Sequence, residues 1–385
     1  MTVSVRACPD YSPEVVAATC DRALMDVKAE ALFTPGQTVL LKVNLLSAKS
    51  PEQAVTTHPA LVFALARWFI ERGARVQVGD SSGGVPTKEG GNKTAAALKV
   101  SGIAAAAEAA GAEVINFDTA GAVVVHGGER LNPVLIARPV LDADLVVSVA
   151  KLKTHGLTLF TGAVKNMFGA VPGATKAEYH RQLPKLPDFC TGLVDVFAAA
   201  RPQLAVMDAV WGMEGNGPSA GDVRHRGLVL ASRDAVALDT VAANLIGCPP
   251  RRVLTTVFAA KRGLGRMEDV KIMGDEVSPV QFKLPASARL GPVAASVSGR
   301  FFGLMTHLPG FMAEKCINCN ICVQSCPVTA LTAQKPHPEL DAAKCIHCFC
   351  CHELCPEHAI DLEPRYPRVH RLMDMLSRRR RRKNR

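Results

Sequence analysis

One cysteine pattern occurs twice in the last quarter of the chain. It reads C-x-x-C-x-x-C-x-x-x-C-P, at Cys316, Cys319, Cys322, Cys326 and Pro327 and again at Cys345, Cys348, Cys351, Cys355 and Pro356. Three thiolates at this spacing wrap one face of a cubane iron–sulfur cluster, and the fourth ligand comes from elsewhere. The pattern therefore predicts 4Fe-4S clusters and electron transfer.

The repeat also predicts how the ligands are shared. In two-cluster proteins with this spacing, the fourth Cys of each run binds the other cluster. The first cluster should thus be held by Cys316, Cys319, Cys322 and Cys355, and the second by Cys345, Cys348, Cys351 and Cys326. Zinc ribbons fit less well, because they use two separated C-x-x-C pairs without a third Cys three residues on.

The other cysteines carry less information. A disulfide framework is disfavoured in a long chain with 13 Cys and no secretion signal. Cys8, Cys20, Cys190 and Cys248 lie in apolar surroundings, as buried thiols of a reducing compartment do. Cys350 beside Cys351 is either a spare thiolate or a small packed side chain.

Composition indicates a globular protein. A chain of 385 residues with 48% hydrophobic content can bury one large α/β core and carry a small module. We expect a cytoplasmic protein, because the N-terminus is no signal peptide and no apolar stretch reaches the roughly 18 residues of a transmembrane helix.

The net charge of +10 is concentrated in the C-terminal tail. Residues 365–385 contain ten Arg or Lys and one Asp. A short helix with an apolar stripe is predicted just before Arg378. Residues 378–385 are almost all basic. This run is interpreted as solvated and partly disordered, with attraction to nucleic acid or to an anionic membrane as the alternatives.

β-branched runs alternate with Ala-rich segments of helical length between about residues 38 and 274. We expect strands at Val39–Val43, Arg75–Val78, Glu113–Phe117, Asp144–Val149, Gln203–Met207, Gly227–Ala231 and Val270–Met273. The predicted helices are Pro13–Leu32, Pro59–Glu71, Lys93–Ala109, Leu186–Ala200, Asp234–Ile246 and Arg251–Lys261. This alternation predicts an α/β fold whose sheet is largely parallel and has helices on its flanks.

The predicted divisions are an α/β domain at 1–280, a linker at 281–310, a small α+β double-cluster module at 311–364 and a basic tail at 365–385. The linker region is apolar, notably at Phe301, Phe302, Leu304, Met305, Leu308, Phe311 and Met312. It either packs against the core or forms a surface that touches a membrane or a partner.

Several predicted strands end in polar residues, which should meet in one crevice at the carboxyl edge of the sheet. The candidate catalytic residues are Lys42, Lys151, Lys153, His155, Asp208 and Glu214. The candidate cofactor-binding residues are Asn44, Asp80, Ser81, Lys165 and Asn166. So many lysines indicate an anionic ligand, a carboxylate or a phosphate.

The individual roles stay open. Asp208 and Glu214 are either a pair for a hard divalent metal or acid/base groups. His155 is either a proton shuttle or a structural histidine. Asp239, inside an apolar helix, faces either the crevice or solvent. The chain has no P-loop and no dinucleotide fingerprint, so ATP and NAD are not supported, while flavin stays open without a motif.

A resemblance to a known family rests on five segments. They are Lys42–Asn44, Gly79–Ser81, Lys151–His155, Gly162–Asn166 and Met207–Asp208 through Glu214–Pro218. Together they resemble the family called domain of unknown function 362, over about residues 1–280. Members often carry a C-terminal two-cluster ferredoxin module, which Cys345–Cys351 through Cys355 and Pro356 resemble. The resemblance implies a cytoplasmic iron–sulfur protein of unassigned chemistry.

Three functions are compatible with this reading. The leading hypothesis is an oxidoreductase that passes electrons between two 4Fe-4S clusters and an anionic substrate or cofactor in the crevice. The alternative is a non-catalytic electron carrier or adaptor that docks a partner enzyme. The third, a nucleic-acid-associated protein, is motivated by the tail alone. The cluster region is acidic, which favours a redox partner protein with a basic patch.

Overall fold

The computed structural model describes residues 1–83, 93–289 and 306–369. Its strands in chain order are β1 (Thr2–Ala7), β2 (Thr38–Lys42), β3 (Arg75–Asp80), β4 (Glu113–Asn116), β5 (Ala122–Val125), β6 (Val134–Ala137), β7 (Leu145–His155), β8 (Leu159–Thr161), β9 (Leu204–Glu214), β10 (Asp222–Ser232), β11 (Lys271–Gly274), β12 (His307–Phe311), β13 (Leu331–Thr332), β14 (Glu339–Leu340) and β15 (Ile360–Pro364). Its α-helices are α1 (Pro13–Asp26), α2 (Pro59–Ile70), α3 (Lys93–Val100), α4 (Ile103–Ala110), α5 (Arg138–Asp142), α6 (Ala163–Asn166), α7 (Thr175–Gln182), α8 (Leu186–Ala200), α9 (Ala235–Leu245), α10 (Leu254–Lys261), α11 (Ile321–Gln324) and α12 (Cys350–Glu353). Short 3₁₀ helices cover Ala29–Leu32, Pro51–Gln53, Met167–Ala170, Pro250–Arg252 and Ala286–Arg289.

A nine-stranded mixed sheet forms the centre of the larger domain. Its order is β11-β1-β10-β9-β7-β2-β3-β4, with β8 paired to β7. The run from β9 to β4 is parallel throughout. β10 pairs antiparallel with β9 and with β1, and β1 pairs parallel with β11. The predicted α/β class with a largely parallel sheet is therefore confirmed.

Helices cover both faces of this sheet, which explains why its central strands are apolar on both sides. One face packs against α1, α2 and α4 through residues such as Val39 and Leu41. The other packs against α6, α8 and α9 through residues such as Leu40 and Ala150. Side chains of one strand are thus divided between two cores by their alternation.

Several predicted elements differ in extent. β10 begins at Asp222, before its predicted start at Gly227, and the predicted helix Pro13–Leu32 ends at Asp26, before a 3₁₀ turn. β7 runs to His155 and β9 to Glu214, past their predicted ends at Val149 and Met207. The polar residues after the apolar runs remain in the sheet because the neighbouring strands still pair with them. The predicted helix Lys93–Ala109 is two helices, since Gly102 adopts a left-handed φ of 72° between α3 and α4.

The C-terminal module is built from two short antiparallel pairs and two single-turn helices. β12 pairs with β15 and β13 with β14, around a small core that contains Cys322, Leu331 and Ile360. β12 begins at His307, inside the predicted linker 281–310, so the module starts slightly earlier than predicted.

This module packs against the larger domain near the carboxyl ends of the parallel strands. Lys49 Nζ donates to the carbonyl of Pro356 at 2.6 Å, and Ser219 Oγ donates to the carbonyl of Glu353 at 2.8 Å. Gly156, just after β7, lies so close to Leu362 that a Cβ atom there would come within 2.9 Å of a leucine methyl. The module therefore covers the edge of the sheet at which ligands bind in open α/β folds.

Some predictions fall on residues 84–92, 290–305 and 370–385, outside the described residues. They concern Gly84, the apolar residues Phe301, Phe302, Leu304 and Met305, and the basic run from Arg378. Across the described ranges, we find no helix that combines the length and apolar character needed to span a membrane.

Candidate functional site

A cavity of about 420 Å³ lies between the sheet edge and the C-terminal module. Eight of the predicted crevice residues line it, namely Lys42, Asn44, Asp80, Ser81, Lys153, His155, Lys165 and Asn166. The module contributes a wall of its own, formed by Gln324, Ser325, Cys326, Pro327, Cys350, Glu353 and Leu354. The structure thus has a cavity at the predicted crevice, lined by both parts of the chain.

A buried ion pair forms the floor of the cavity. Lys42 Nζ lies 2.8 Å from Asp80 Oδ2 and 3.2 Å from Asn166 Oδ1, and Asn44 donates to the same amide oxygen at 3.0 Å. Burial lowers the pKa of Lys42 and raises that of Asp80, while their mutual attraction opposes both shifts. The charges of Lys42 and Asp80 neutralise each other. We therefore assign the pair a positioning role toward the neighbouring Asn44 and Asn166 side chains.

Two other lysines of the wall are bound by backbone carbonyl groups. Lys153 Nζ donates to the carbonyl of Val55 at 2.6 Å, and Lys176 Nζ to that of Ser81 at 2.8 Å. Burial lowers the pKa of Lys176 to about 8. Lys176 also donates to Ser81 Oγ and to the carbonyl of Ser82, which occupies its three donors, whereas Lys153 has two donors left.

Lys165 has the most freedom to bind a ligand. Its ammonium group has no hydrogen-bond or ion-pair partner among the described residues, and burial lowers its pKa. Three further polar atoms of the wall are buried and have no hydrogen-bond partner among the described residues. They are Asn44 Oδ1, Thr161 Oγ1 and Ser325 Oγ. Burying a polar group without a hydrogen-bond partner costs folding free energy. Unpaired groups in a cavity wall therefore indicate a site where a bound ligand supplies the missing partners.

Two uncharged histidines stand in the wall. His155 Nδ1 accepts from the backbone N–H of Leu157 at 3.1 Å, so the proton of the neutral ring is on Nε2, 3.2 Å from Glu353 Oε1. That contact lacks the angle of a hydrogen bond, and burial places the pKa of His155 well below its usual value. His180 on α7 is buried, and its pKa is lowered to about 3.

Lys151 and Asp208 lie elsewhere, contrary to the single crevice that we expected. Lys151 Nζ is 2.9 Å from Asp208 Oδ2, both side chains are fully buried, and Tyr11 OH donates to the other carboxylate oxygen at 2.7 Å. Val147 and Val149 before Lys151 belong to the core of α1 and α2, so the alternation of β7 directs Lys151 to that side. The pair is a structural unit beside the cavity.

Glu214 is also outside the cavity wall. Its Oε2 accepts from the backbone N–H of Lys283 at 3.0 Å, which ties the segment after β11 to the end of β9. Asp208 has its oxygens occupied by Tyr11, Lys151 and the N–H of His58. The predicted hard-metal pair of Asp208 and Glu214 is therefore not assembled.

Asp239 faces neither the cavity nor solvent. It is buried and accepts from the N–H groups of Ala163 at 2.6 Å and Val164 at 3.1 Å, at the start of the helix that carries Lys165 and Asn166. A Cβ at Gly162 would lie 2.2 Å from this carboxyl group, so the approach requires glycine. Burial raises the pKa of Asp239 to about 7.

This raised pKa predicts a pH-dependent stability. Protonation favours the folded state, so the contribution of Asp239 is greatest below about pH 4 and is lost as the pH rises through about 7. We expect wild type to lose about 2 kcal/mol of unfolding free energy relative to Asp239→Asn between pH 5 and pH 7. Urea unfolding at both pH values measures this loss, with the exposed Asp142→Asn as control. An equal change in unfolding free energy between pH 5 and pH 7 for wild type and Asp239→Asn would contradict the prediction.

The cysteines gather around two smaller cavities in the C-terminal module. One is lined by Cys316, Cys319, Cys322 and Cys355, and the other by Cys326, Cys345, Cys348 and Cys351, with Cys350. Each set combines three thiols of one motif with the fourth of the other. The N–H groups of Ala330 and Ala359 donate to the sulfurs of Cys326 and Cys355 at 3.2 Å. Thiols with amide donors fit a cubane cluster well.

Sequence reasoning did not find Lys176, His180, Ser325 or Glu353. Lys176 and His180 lie on α7, a polar helix without a pattern that marks function. Ser325 and Glu353 stand beside cluster-motif cysteines, and only the packing of the module shows that they reach the cavity. Cys350 was noted for its position, and the structure places it in the walls of both the ligand cavity and the second cysteine cavity.

Comparison with known sequences decides the family. The family described as "Domain of unknown function (DUF362)" matches residues 39–244, more than half of the chain. The chain belongs to this family. A second match, to a "4Fe-4S dicluster domain", covers residues 308–356, so this DUF362 protein is a 4Fe-4S iron–sulfur protein with the fusion that the sequence predicted.

Two individual proteins are similar to this family member. A thylakoid-associated protein of Synechocystis sp. is 33% identical over 236 residues, which is 60% of this chain and 69% of that protein. The lactate racemase apoprotein of Thermoanaerobacterium thermosaccharolyticum has 11% identity and a TM-score of 0.38. The match covers 60% of this chain and 54% of the racemase chain.

Proposed function

We propose that this protein binds two 4Fe-4S clusters and is an oxidoreductase that exchanges electrons with a small anionic ligand in the 420 Å³ cavity. The single observation that carries the proposal is the shared wall. Cys326, a predicted ligand of the second cluster, lines both the second cysteine cavity and the ligand cavity. A ligand bound there would lie next to the source of electrons.

The charges of the wall support an anionic ligand. Four lysines line the cavity against three carboxylates, and one of these, Glu178, is engaged by Arg181. Asp80 is engaged by Lys42, and Lys165 makes no hydrogen bond or ion pair among the described residues, although the charge of Glu353, the third carboxylate, raises its pKa against the effect of burial. A carboxylate or phosphate would satisfy Lys165 and the unpaired Ser325 and Thr161 hydroxyls.

The apolar part of the wall supports an organic ligand. Phe168, Phe189, Leu46 and Leu354 line the same cavity, so a ligand would combine an anionic group with an apolar body. Two clusters supply single electrons, and together they supply the two that reduction of a C=O or C=C bond consumes with two protons. His155 remains the candidate proton shuttle of the wall.

The first cysteine set suggests where electrons enter. Cys319 is exposed, and its cavity does not border the ligand cavity. We infer that a redox partner protein docks on this side, in keeping with the acidic character of the module. The basic run 378–385 lies outside the described residues and forms no part of this proposal.

Cluster reoxidation tests the proposal. Anaerobically purified, dithionite-reduced protein is mixed with members of a panel of 2-oxo acids, enoates and phosphorylated acids, and the cluster absorbance is followed. We expect at least one compound to reoxidise the clusters, and Lys165→Ala to weaken its binding about 10- to 100-fold, since a charge-assisted hydrogen bond is lost.

Lys271→Ala, an exposed lysine on β11, is the matched control and should bind as wild type does. Mass analysis of small molecules released from the purified protein identifies a ligand that the panel lacks. Protein with full clusters that neither binds nor reduces any anion would contradict the proposal and favour the electron carrier or adaptor.

A further inference from the structure

Three soft metal-binding side chains meet where the ligand cavity adjoins the second cysteine cavity. Their donor atoms, from His180, Cys348 and Cys350, all lie within 4.8 Å of one another. His180 and Cys350 line the ligand cavity, whereas Cys348 and Cys350 line the cysteine cavity. The group therefore joins α7 of the larger domain to the C-terminal module.

Two of the three side chains, His180 and Cys350, belong to neither cluster set, and the thiol groups of Cys350 and Cys348 hydrogen-bond to each other. His180 is buried, stacks on Phe189 with the ring centroids 4.1 Å apart and makes no hydrogen bond among the described residues. Cys350 is buried and lies outside the two sets of four thiols that the clusters require. An imidazole and a thiol outside the cluster sets, together with the sulfur of Cys348, are a strong donor set for zinc and similar ions.

The distances suit a single ion. Zinc bonds of about 2.3 Å to sulfur and about 2.0 Å to nitrogen place tetrahedral donors roughly 3.5–3.8 Å apart. Donors within 4.8 Å reach that separation by small rotations of their side chains. Packing against Phe189 places the His180 ring, and its position brings a ring nitrogen within 4.8 Å of both sulfurs.

We propose that His180, Cys350 and Cys348 form a third metal site, for a borderline-soft divalent ion such as Zn²⁺, with the Cys348 sulfur shared between this ion and the second cluster. The sharing rests on the proposed function, in which Cys348 is a cluster ligand. Three protein ligands with an open fourth position are typical of catalytic zinc sites, whereas structural sites have four. The open position faces the ligand cavity.

The site also fits the charges around it. Because the Cys348 charge already belongs to the second cluster, the Cys350 thiolate offsets one of the two charges of the ion, and an anionic ligand offsets the other. An anionic oxygen of the ligand can occupy the fourth position while Lys165 binds another oxygen. The ion would thus select ligands with two anionic or carbonyl oxygens, such as 2-oxo acids, over simple carboxylates.

Metal analysis tests the site. Iron-loaded full-length protein is dialysed anaerobically against Zn²⁺, freed of excess zinc, and analysed for iron and zinc in the same sample. We expect wild type to retain about one zinc per chain with unchanged iron, and His180→Ala and Cys350→Ala to retain at least tenfold less. Cys248→Ala, which removes another buried thiol, should retain the zinc.

The outcomes separate this inference from the proposed function. Full iron without zinc, or zinc retained in both variants, overturns the metal site and leaves the electron-transfer proposal standing. Loss of iron in Cys350→Ala would make Cys350 a cluster ligand and would overturn the site as well. Zinc that depends on His180 and Cys350 in protein unable to hold iron would support the site and contradict the proposed function.

Discussion

Replacing Cys355 with alanine is expected to remove the same cluster as replacing Cys316, although the two residues belong to different motifs. The structure places both thiols at one cavity, and Cys326 at the other. Each single variant should fall from about eight to about four irons per chain, and the Cys316/Cys355 double variant should lose no more. The Cys316/Cys326 double variant should lose nearly all iron.

Iron, sulfide and electron paramagnetic resonance measurements on anaerobic protein distinguish these cases. Cys248→Ala again serves as the control, because this buried thiol lies in the core of the larger domain. Four irons in the Cys316/Cys326 variant, together with none in the Cys316/Cys355 variant, would mean that each motif holds its own cluster. That result would refute the exchanged ligand sets.

The second large effect is expected at the buried ion pair of Lys151 and Asp208. Lys151→Met leaves the Asp208 carboxylate buried without its cation, and we expect the unfolding free energy to fall by about 3–5 kcal/mol. Adding Asp208→Asn should recover part of this loss, because the uncompensated charge is removed. Urea unfolding of the two variants and wild type at one pH measures the effect.

The same variants separate structure from function at this position. Arg67→Met breaks an exposed pair with Glu71 and should cost less than about 1 kcal/mol. Folded Lys151→Met protein should bind the cavity ligand as wild type does, whereas Lys165→Ala should not. If Lys151→Met protein has normal stability but no longer binds the ligand, then Lys151 takes part in ligand binding, as the sequence alone predicted.

Lys151 and Lys153 lie in different surroundings, although the alternation of side chains along a strand predicts the same face for both. Both residues precede His155 at alternate positions, and we expected them to share a crevice. β7 does not end before them, and the pairing of β7 with β9 is irregular between Lys151 and Lys153. Lys151 binds Asp208, while Lys153 lines the cavity. The local sequence carries no signal for that irregularity.

The cysteine motif and the strand pattern were readable from the sequence because both are local. Cluster ligands within one motif are fixed by spacing along the chain, and apolar alternation reports the faces of a strand. The α/β class, the family and the iron–sulfur character follow from such short-range signals. Six polar residues at or just after predicted strand ends also reach the cavity, since parallel strands bring their carboxyl ends to one edge, and Lys165 and Asn166 reach it from α6.

Only the tertiary structure decided what closes that cavity. The C-terminal module brings Cys350 against His180, which lies 170 residues earlier in the sequence. α7 has no sequence pattern that marks its function, and its histidine is placed by packing against Phe189. Contacts between distant segments depend on the complementarity of whole surfaces, which residue spacing within either segment does not encode.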